Sequence, residues 1–502
     1  MRRGIIFLVV LVALAIVASS VLAQPKGSLT VGVSTDLQSL DPAIEYTTAG
    51  QMMQRHFFDS LVDFGPDGKI MPRLATSWKL TDEKTWRINL RKGVKFHNGN
   101  PFTAADVKFS IEWLLDPKNK WNYRSYLASY DGMQIIDDYT VDIKTKTPDP
   151  LLLNQWAAWC RVISKKFFDE NGGEGLQKQA VGTGPFKFVS WKRNDSLVLE
   201  ANTDWYMTPP KVKTLTFRMM PEMGARVAEL QAGGAQIITA VPPFMVSQLK
   251  KSGDTDVQSV PSLRAFYMIL DTTKISPLKD KRVRQALNYA IDKEAVIKAV
   301  LSGMGTSLGT HVPLKVAGAG QSIKPYPYDP QKAKTLLKEA GYPDGFPLTL
   351  YSPTGRYPMD KEVTLAVADQ LSKVGIKTQV NPMETSTYLK ELVGHKLEGI
   401  FFMGMSSSEW DINHSLNQLT SNFVLCYYPD KTLDEMVAKT KVIMDSAKRF
   451  ESALKIQNIV HEDAIYLFLY NGMDSYGVSK KVKGFEARSD EMMDLWNVSM
   501  AE

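Results

Sequence analysis

The sequence predicts an α/β protein built from more than one lobe, and three observations carry that prediction. The chain has 502 residues, 44% of them hydrophobic, which is more than one core normally organises. From Phe266 onward, strand-like and helix-like stretches alternate in the manner of α/β architecture. Within that half, Leu348 to Tyr351, Lys361 to Val374 and Ile376 to Val380 read as strand, helix and strand, with Gly375 ending the helix.

In chain order, Arg2 and Arg3 precede an apolar run from Ile5 to Ala18, and Val21-Leu22-Ala23 offers small residues to a signal peptidase. Residues 1–23 are therefore expected to be a cleavable secretory signal. The run of about 14 apolar residues is shorter than the roughly 20 of a spanning helix. No cysteine stands near the cleavage point to carry a lipid. Gly27 to Val33 reads as a strand, and Leu40-Asp41-Pro42 opens a polar loop through Glu45, Tyr46 and Thr47. A helix is expected over Gln51 to Leu61.

Trp86, Ile88 and Leu90 alternate with Arg87, Asn89 and Arg91, the period of a half-buried strand. Asn98-Gly99 reads as a tight turn. Thr103 and Asp106 form the start signal of a helix from Ala104 whose apolar face is Val107, Ile111, Leu114 and Leu115. From Val181, two glycines and a proline set a turn, and a hairpin follows with its own turn at Asn194-Asp195. Lys213 to Arg218 is a strand, and Gly233-Gly234 stops a helix begun at Met223. Val283 to Ile291 is a helix, Asp292 caps the next, and Asp329-Pro330 start a third that Gly341 closes. The loop Tyr351 to Tyr357 then falls at the carboxyl end of its strand, where open α/β sheets bind ligands. Gly399 to Met403 is a strand feeding the loop Gly404 to Asn413, Phe450 to His461 is a helix, and Ala464 to Tyr470 is an apolar strand.

The formal charge of +6 falls to +4 once Arg2 and Arg3 are removed, too little and too evenly spread for nucleic acid. The two cysteines, Cys160 and Cys426, are far apart among hydrophobic neighbours and are expected as separate thiols, although an oxidising compartment would permit a bridge. Gly404-Met405-Ser406-Ser407-Ser408 fails the G-x-S-x-G pattern at its last position, and Gly182-Thr183-Gly184-Pro185 lacks the third glycine of a dinucleotide loop. The six histidines form no close pair and neither cysteine has C-x-x-C spacing. The sequence therefore points away from an enzyme and calls for no cofactor or metal; a secreted hydrolase would need a reactive pair placed by the fold.

Several stretches together carry a family likeness: Leu40-Asp41-Pro42, Leu74 to Trp78, Leu90 to Ser110, Gly182 to Phe186, Val283 to Asp292 and Ala333 to Tyr342. With them the chain resembles the extracellular solute-binding proteins of family 5, the dipeptide, oligopeptide and nickel receptors of ABC importers. The resemblance implies a periplasmic binding protein of type II: two α/β lobes, a two-strand hinge, and an extra lobe inserted in the first. On this sequence that places lobe I at 24–60, 180–265 and 465–502, the inserted lobe at 61–179 and lobe II at 266–464, with hinge strands near Arg264 to Asp271 and Ile465 to Tyr470. It also implies a monomer in the periplasm, a small-molecule or peptide ligand, and an inner-membrane permease with its ATPase subunits as partners.

Peptide receptors of this family hold the ligand ammonium with an aspartate just after the strand matching Gly399 to Met403. That place is held here by serines, with Asp411 three residues further on. A changed specificity for an opine, sugar conjugate or metal chelate therefore stays open beside a peptide. The candidate contacts are Glu45 and Tyr46 in the first loop, Tyr267 on a hinge strand, Arg356 and Tyr357 in the sheet-end loop, and Ser407, Ser408, Trp410 and Asp411 after the serine run. A forked guanidinium such as Arg356 suits a carboxylate. Trp156 and Trp159, three apart, read first as packing.

Overall fold

The computed structural model describes residues 24–45, 47–119, 121 and 124–501; the expected signal segment and Tyr46 lie outside them. Its organising feature is an eleven-stranded sheet through which two long strands, Thr255–Leu270 and Tyr466–Ser479, run side by side. On one flank they join Ile400–Ser406, Pro347–Thr354 and Lys377–Glu384; on the other, Ile237–Ile238, Ser28–Val33, Thr214–Met219, Ser196–Ala201 and Phe186–Lys192. The parallel pairing of Pro347–Thr354 with Lys377–Glu384 across the helix Asp360–Ser372 is the strand–helix–strand unit read from the sequence.

Antiparallel pairing of the long strands is interrupted between Pro261 and Ala265, opposite Met473 and Asn471. That break runs into the start of the expected segment Arg264 to Asp271, a second irregularity falls between Phe266 and Tyr267, and the partner strand continues past Tyr470 to Ser479. The Asn471 side chain bridges the irregularity: its amide donates to the Ser262 carbonyl (3.0 Å) and its oxygen accepts from Leu314 N–H (2.9 Å). The Asn471-Gly472 pair thus lies inside one strand, which runs on to Ser479.

A separate four-stranded sheet holds Ala75–Asp82, Thr85–Leu90, Thr140–Thr145 and Tyr130–Asp137 in that order. Ile88 and Leu90 are buried in it, while Arg87 pairs across the strands with Asp142 at 2.7 Å. The helix Ala104–Leu115 starts where its cap signal lies, with the Asp106 carboxylate accepting from Thr103 N–H at 2.9 Å. The helix expected over Gln51 to Leu61 instead spans Thr48–Gln54, capped by the Thr47 hydroxyl on Gly50 N–H. It ends early because the next residues spend their carbonyls on the 182–186 segment: Gly184 N–H donates to Phe57 O (3.2 Å) and Phe186 N–H to His56 O (2.8 Å). A Cβ on Gly182 would lie 1.8 Å from Phe57 O, so the two backbones can touch only if that residue is glycine.

Cys160 is buried and Cys426 half-buried, and both are free thiols. No helix among the described residues is long and apolar enough to cross a membrane.

Candidate functional site

The break in the long strands opens onto a cavity of about 430 Å³. Ser262, Arg264 and Phe266 on one strand and the run Gly472 to Tyr476 on the other line it together. The start of the helix Thr48–Gln54 and the stretch Thr239–Val241 line it from one flank, and Gly355–Pro358 with Thr385 from the other. Glu491 enters from the C-terminal segment. Phe266 is seated between two glycines: a Cβ on Gly404 or Gly472 would meet its ring at 2.4 or 2.6 Å. Tyr470 stacks on the same ring at 4.8 Å and Tyr357 meets it edge-on at 5.2 Å.

Charge is concentrated in this wall. Arg264 donates to Glu491 Oε1 at 2.7 Å and to the Gly404 carbonyl at 2.9 Å, and Tyr357 O–H donates to that carbonyl at 3.1 Å. Burial works against the Arg264 charge, but Glu491 beside it keeps the guanidinium firmly protonated. Asp474 has no comparable ion pair: its Oδ2, like Ser262 Oγ, makes no hydrogen bond of good geometry, and only the nearby Ser262 hydroxyl and the Arg264 charge favour its ionised form. Burial first, and then the Glu491 charge, push the Asp474 carboxyl well above the usual range. A carboxylate disfavoured in this way is stabilised by the arrival of a ligand cation. Arg356 is exposed at the rim, with its guanidinium 5.6 Å from the Tyr357 ring centre. Two cavity residues, Ala240 and Glu491, hold left-handed backbone at φ +54° and +63°, a strain that recurs where a side chain must be aimed.

The cavity brings together only part of the expected set. Arg356 and Tyr357 line it. Glu45 is buried behind the first loop, its carboxylate accepting from Gln38 N–H (2.5 Å), Thr47 N–H (2.7 Å) and the Thr47 hydroxyl (2.7 Å). It therefore shapes the loop that presents Gln38 and Thr47 to the cavity rather than lining it. Tyr267 is on the opposite face of its strand, buried, with its hydroxyl donating to Gln418 Oε1 at 3.0 Å; the neighbouring Phe266 faces the cavity. Ser407 bonds Ser415 at 2.7 Å, and Ser408 lies 3.5 Å from Ser406. Trp410 N–H donates to Asp490 at 3.3 Å, and Asp411 pairs with Arg449 at 2.9 Å while capping the helix Ile412–Asn417. These four are outside the cavity.

Arg264, Asp474 and Glu491 are the lining charges that the sequence reading omitted. A charge set inside each long strand was the available signal for the first two; Glu491, 227 residues from its partner, had none. Among the described residues no group of three or more His, Cys, Asp and Glu side chains is placed to hold a metal ion.

A family described as bacterial extracellular solute-binding proteins, family 5, middle, matches residues 69–424. The glutathione-binding protein GsiB of Pectobacterium atrosepticum is 31% identical over 98% of this chain and 97% of its own length. The fold is shared with DppA of Helicobacter pylori, an ABC transporter-associated periplasmic binding protein in complex with the peptide STSA, at a TM-score of 0.83 and 27% identity over 95% of this chain and 98% of that one. The substrate-binding protein CtaP of Listeria monocytogenes superposes at a TM-score of 0.87 with 25% identity, covering 95% and 100%.

Proposed function

The chain belongs to the bacterial extracellular solute-binding proteins of family 5, and we propose that it captures a small peptide-like zwitterion outside the cytoplasmic membrane and delivers it to an ABC permease driven by its ATPase. The observation that carries the ligand class is the charge layout of the cavity. Asp474 offers a buried carboxyl whose Oδ2 makes no hydrogen bond for an ammonium, and Arg356 offers an exposed guanidinium for a carboxylate. Asp474 takes the place of the aspartate missing from the serine loop, now from a long strand of the sheet. The volume of about 430 Å³ is that of a small-solute site, within the common range of about 300–1,000 Å³. Glutathione, with one amine and two carboxylates, is the first compound to test, since a relative of matching length is named for binding it.

Capture proceeds by closure of lobes about the long strands near Pro261–Ala265 and Asn471–Met473. A solute touching both flanks favours the closed form because those contacts exist only there. The protein transforms nothing; its role is recognition, carried out as a monomer in the periplasm after removal of residues 1–23.

Calorimetric titration with glutathione, a panel of dipeptides and an opine tests this reading. Saturable binding of glutathione or a dipeptide is expected. Binding of the opine alone, with every peptide silent, would overturn the peptide-like assignment.

A further inference from the structure

A second pocket, of about 370 Å³, shares no lining residue with the cavity. One wall comes from the segment Ser125 to Gln155, beside and within the four-stranded sheet, and the other from Glu409 to Val442. Ser125, Ala128, Lys146 and Thr147 are exposed at its mouth, whereas Asp149, Gln155, Glu409 and Asn413 are buried deeper in. Gln155 and Asn413 are only 8% and 3% exposed, yet Gln155 Oε1 and Asn413 Oδ1 accept no hydrogen bond. Buried acceptors are rarely left so, and two on facing walls of one pocket point to a donor from outside the chain.

The charges nearby have both signs. Glu409 accepts from Trp159 N–H at 3.2 Å, and Asp149 accepts from Leu151 N–H at 2.9 Å. Lys441 donates to Asn417 Oδ1 at 2.6 Å and Lys146 to the Ala128 carbonyl at 3.2 Å, each with further protons to give. From these residues we infer that the pocket is a second binding site, for a free α-amino acid. Its ammonium is received by Asn413, Gln155 and Glu409, and its carboxylate by Lys441 and Lys146.

The protonation of Glu409 follows from the same setting. Burial above all, helped by the Asp149 and Asp411 charges and opposed by the Trp159 hydrogen bond and Lys441, brings its carboxyl to about 8. Asp411 is itself paired with Arg449. An arriving ammonium favours the ionised carboxylate, so at neutral pH binding releases a proton to the buffer.

The test is saturation-transfer NMR and calorimetry with L-glutamine, alongside N-acetyl-L-glutamine and L-glutamine amide as controls lacking one charge. Saturable binding of L-glutamine is expected, weakened about tenfold or more for either control because each loses a charge-assisted hydrogen bond. Calorimetry in buffers of different ionisation enthalpy should show proton release that Glu409→Gln removes. Asn413→Leu and Lys441→Met should abolish binding while thermal unfolding shows them folded; Gln155→Leu checks the opposite wall. Binding that survives these variants but disappears in the double variant Asp474→Asn, Arg356→Ala would place the amino acid in the main cavity and overturn the inference. So would no saturation at millimolar L-glutamine. Neither outcome touches the peptide titration that tests the main cavity.

Discussion

Two buried ionic clusters meet at consecutive residues, Asp490 and Glu491, and they differ in one respect. The first is closed. Arg55 pairs with Asp63 at 2.6 Å and with Asp494 at 3.0 Å, Arg73 with Asp63 at 3.0 Å, and Arg488 with Asp490 and Asp494 at 2.6 and 2.9 Å. Trp496 lies under Arg73 at 4.7 Å. Burial alone would raise the Asp63 carboxyl, yet the Arg55 and Arg73 guanidiniums hold it below the usual carboxylate range. The second cluster is open: Arg264 has Glu491, whereas Asp474 has no ion pair of that kind and an Oδ2 without a hydrogen bond, and burial with the Glu491 charge pushes its carboxyl up. Paired charges tie the C-terminal segment to residues 55–73; unpaired capacity is what a ligand can use. The number of buried charges does not separate structure from binding, whereas the balance within each cluster does.

Removing an aspartate from each cluster should therefore have different results. Asp63→Ala leaves Arg55 and Arg73 without their shared partner and should cost about 3–5 kcal/mol in urea unfolding. Asp474→Asn should leave stability unchanged or raised, because burial and the Glu491 charge already disfavour the native carboxylate, while peptide affinity falls about 10- to 100-fold by calorimetry, the loss of one charge-assisted hydrogen bond. Equal destabilisation by both would erase the distinction between the clusters.

The pH dependence sharpens the same contrast. The Asp474 pKa is raised in the folded protein, so the stability this group contributes is complete below its unfolded pKa and is lost as pH rises through the folded value. Ligand affinity runs the other way, rising over that window as the carboxylate becomes available to an ammonium. Calorimetric affinities across the pH range should show this rise for wild type and a flat profile for Asp474→Asn. A smaller effect is expected at Arg356, exposed on the rim: Arg356→Ala should weaken carboxylate-bearing ligands several-fold in the same titrations and leave the unfolding curve within about 0.5 kcal/mol of wild type.

Much of the fold was legible because it is local. The cap at Thr103, the turn at Asn194 and the unit spanning Pro347 to Glu384 are each written in a few adjacent residues. The site was legible only in part. Arg356 and Tyr357 could be found from their place at a strand end, whereas Tyr267, chosen on the family likeness, faces away from the cavity that Phe266 lines, and which face a strand residue takes is not fixed locally. Glu45 looked free in the sequence because the amide groups it accepts from belong to the backbone. Arg264 and Glu491 are joined only by folding, across 227 residues. The break after Pro261 was not legible, because the side-chain hydrogen bond from Asn471 to the Ser262 carbonyl that spans it joins residues 209 apart in sequence.

The measurement that bears most directly on this account is a calorimetric comparison of glutathione with its N-acetylated form on the wild-type protein. Recognition of an ammonium by Asp474 predicts saturable binding of the free amine and at least a tenfold loss on acetylation. Equal affinity for the two would mean that the open acidic cluster does not read the ligand's amine, and the assignment of the cavity to a peptide-like zwitterion would be contradicted.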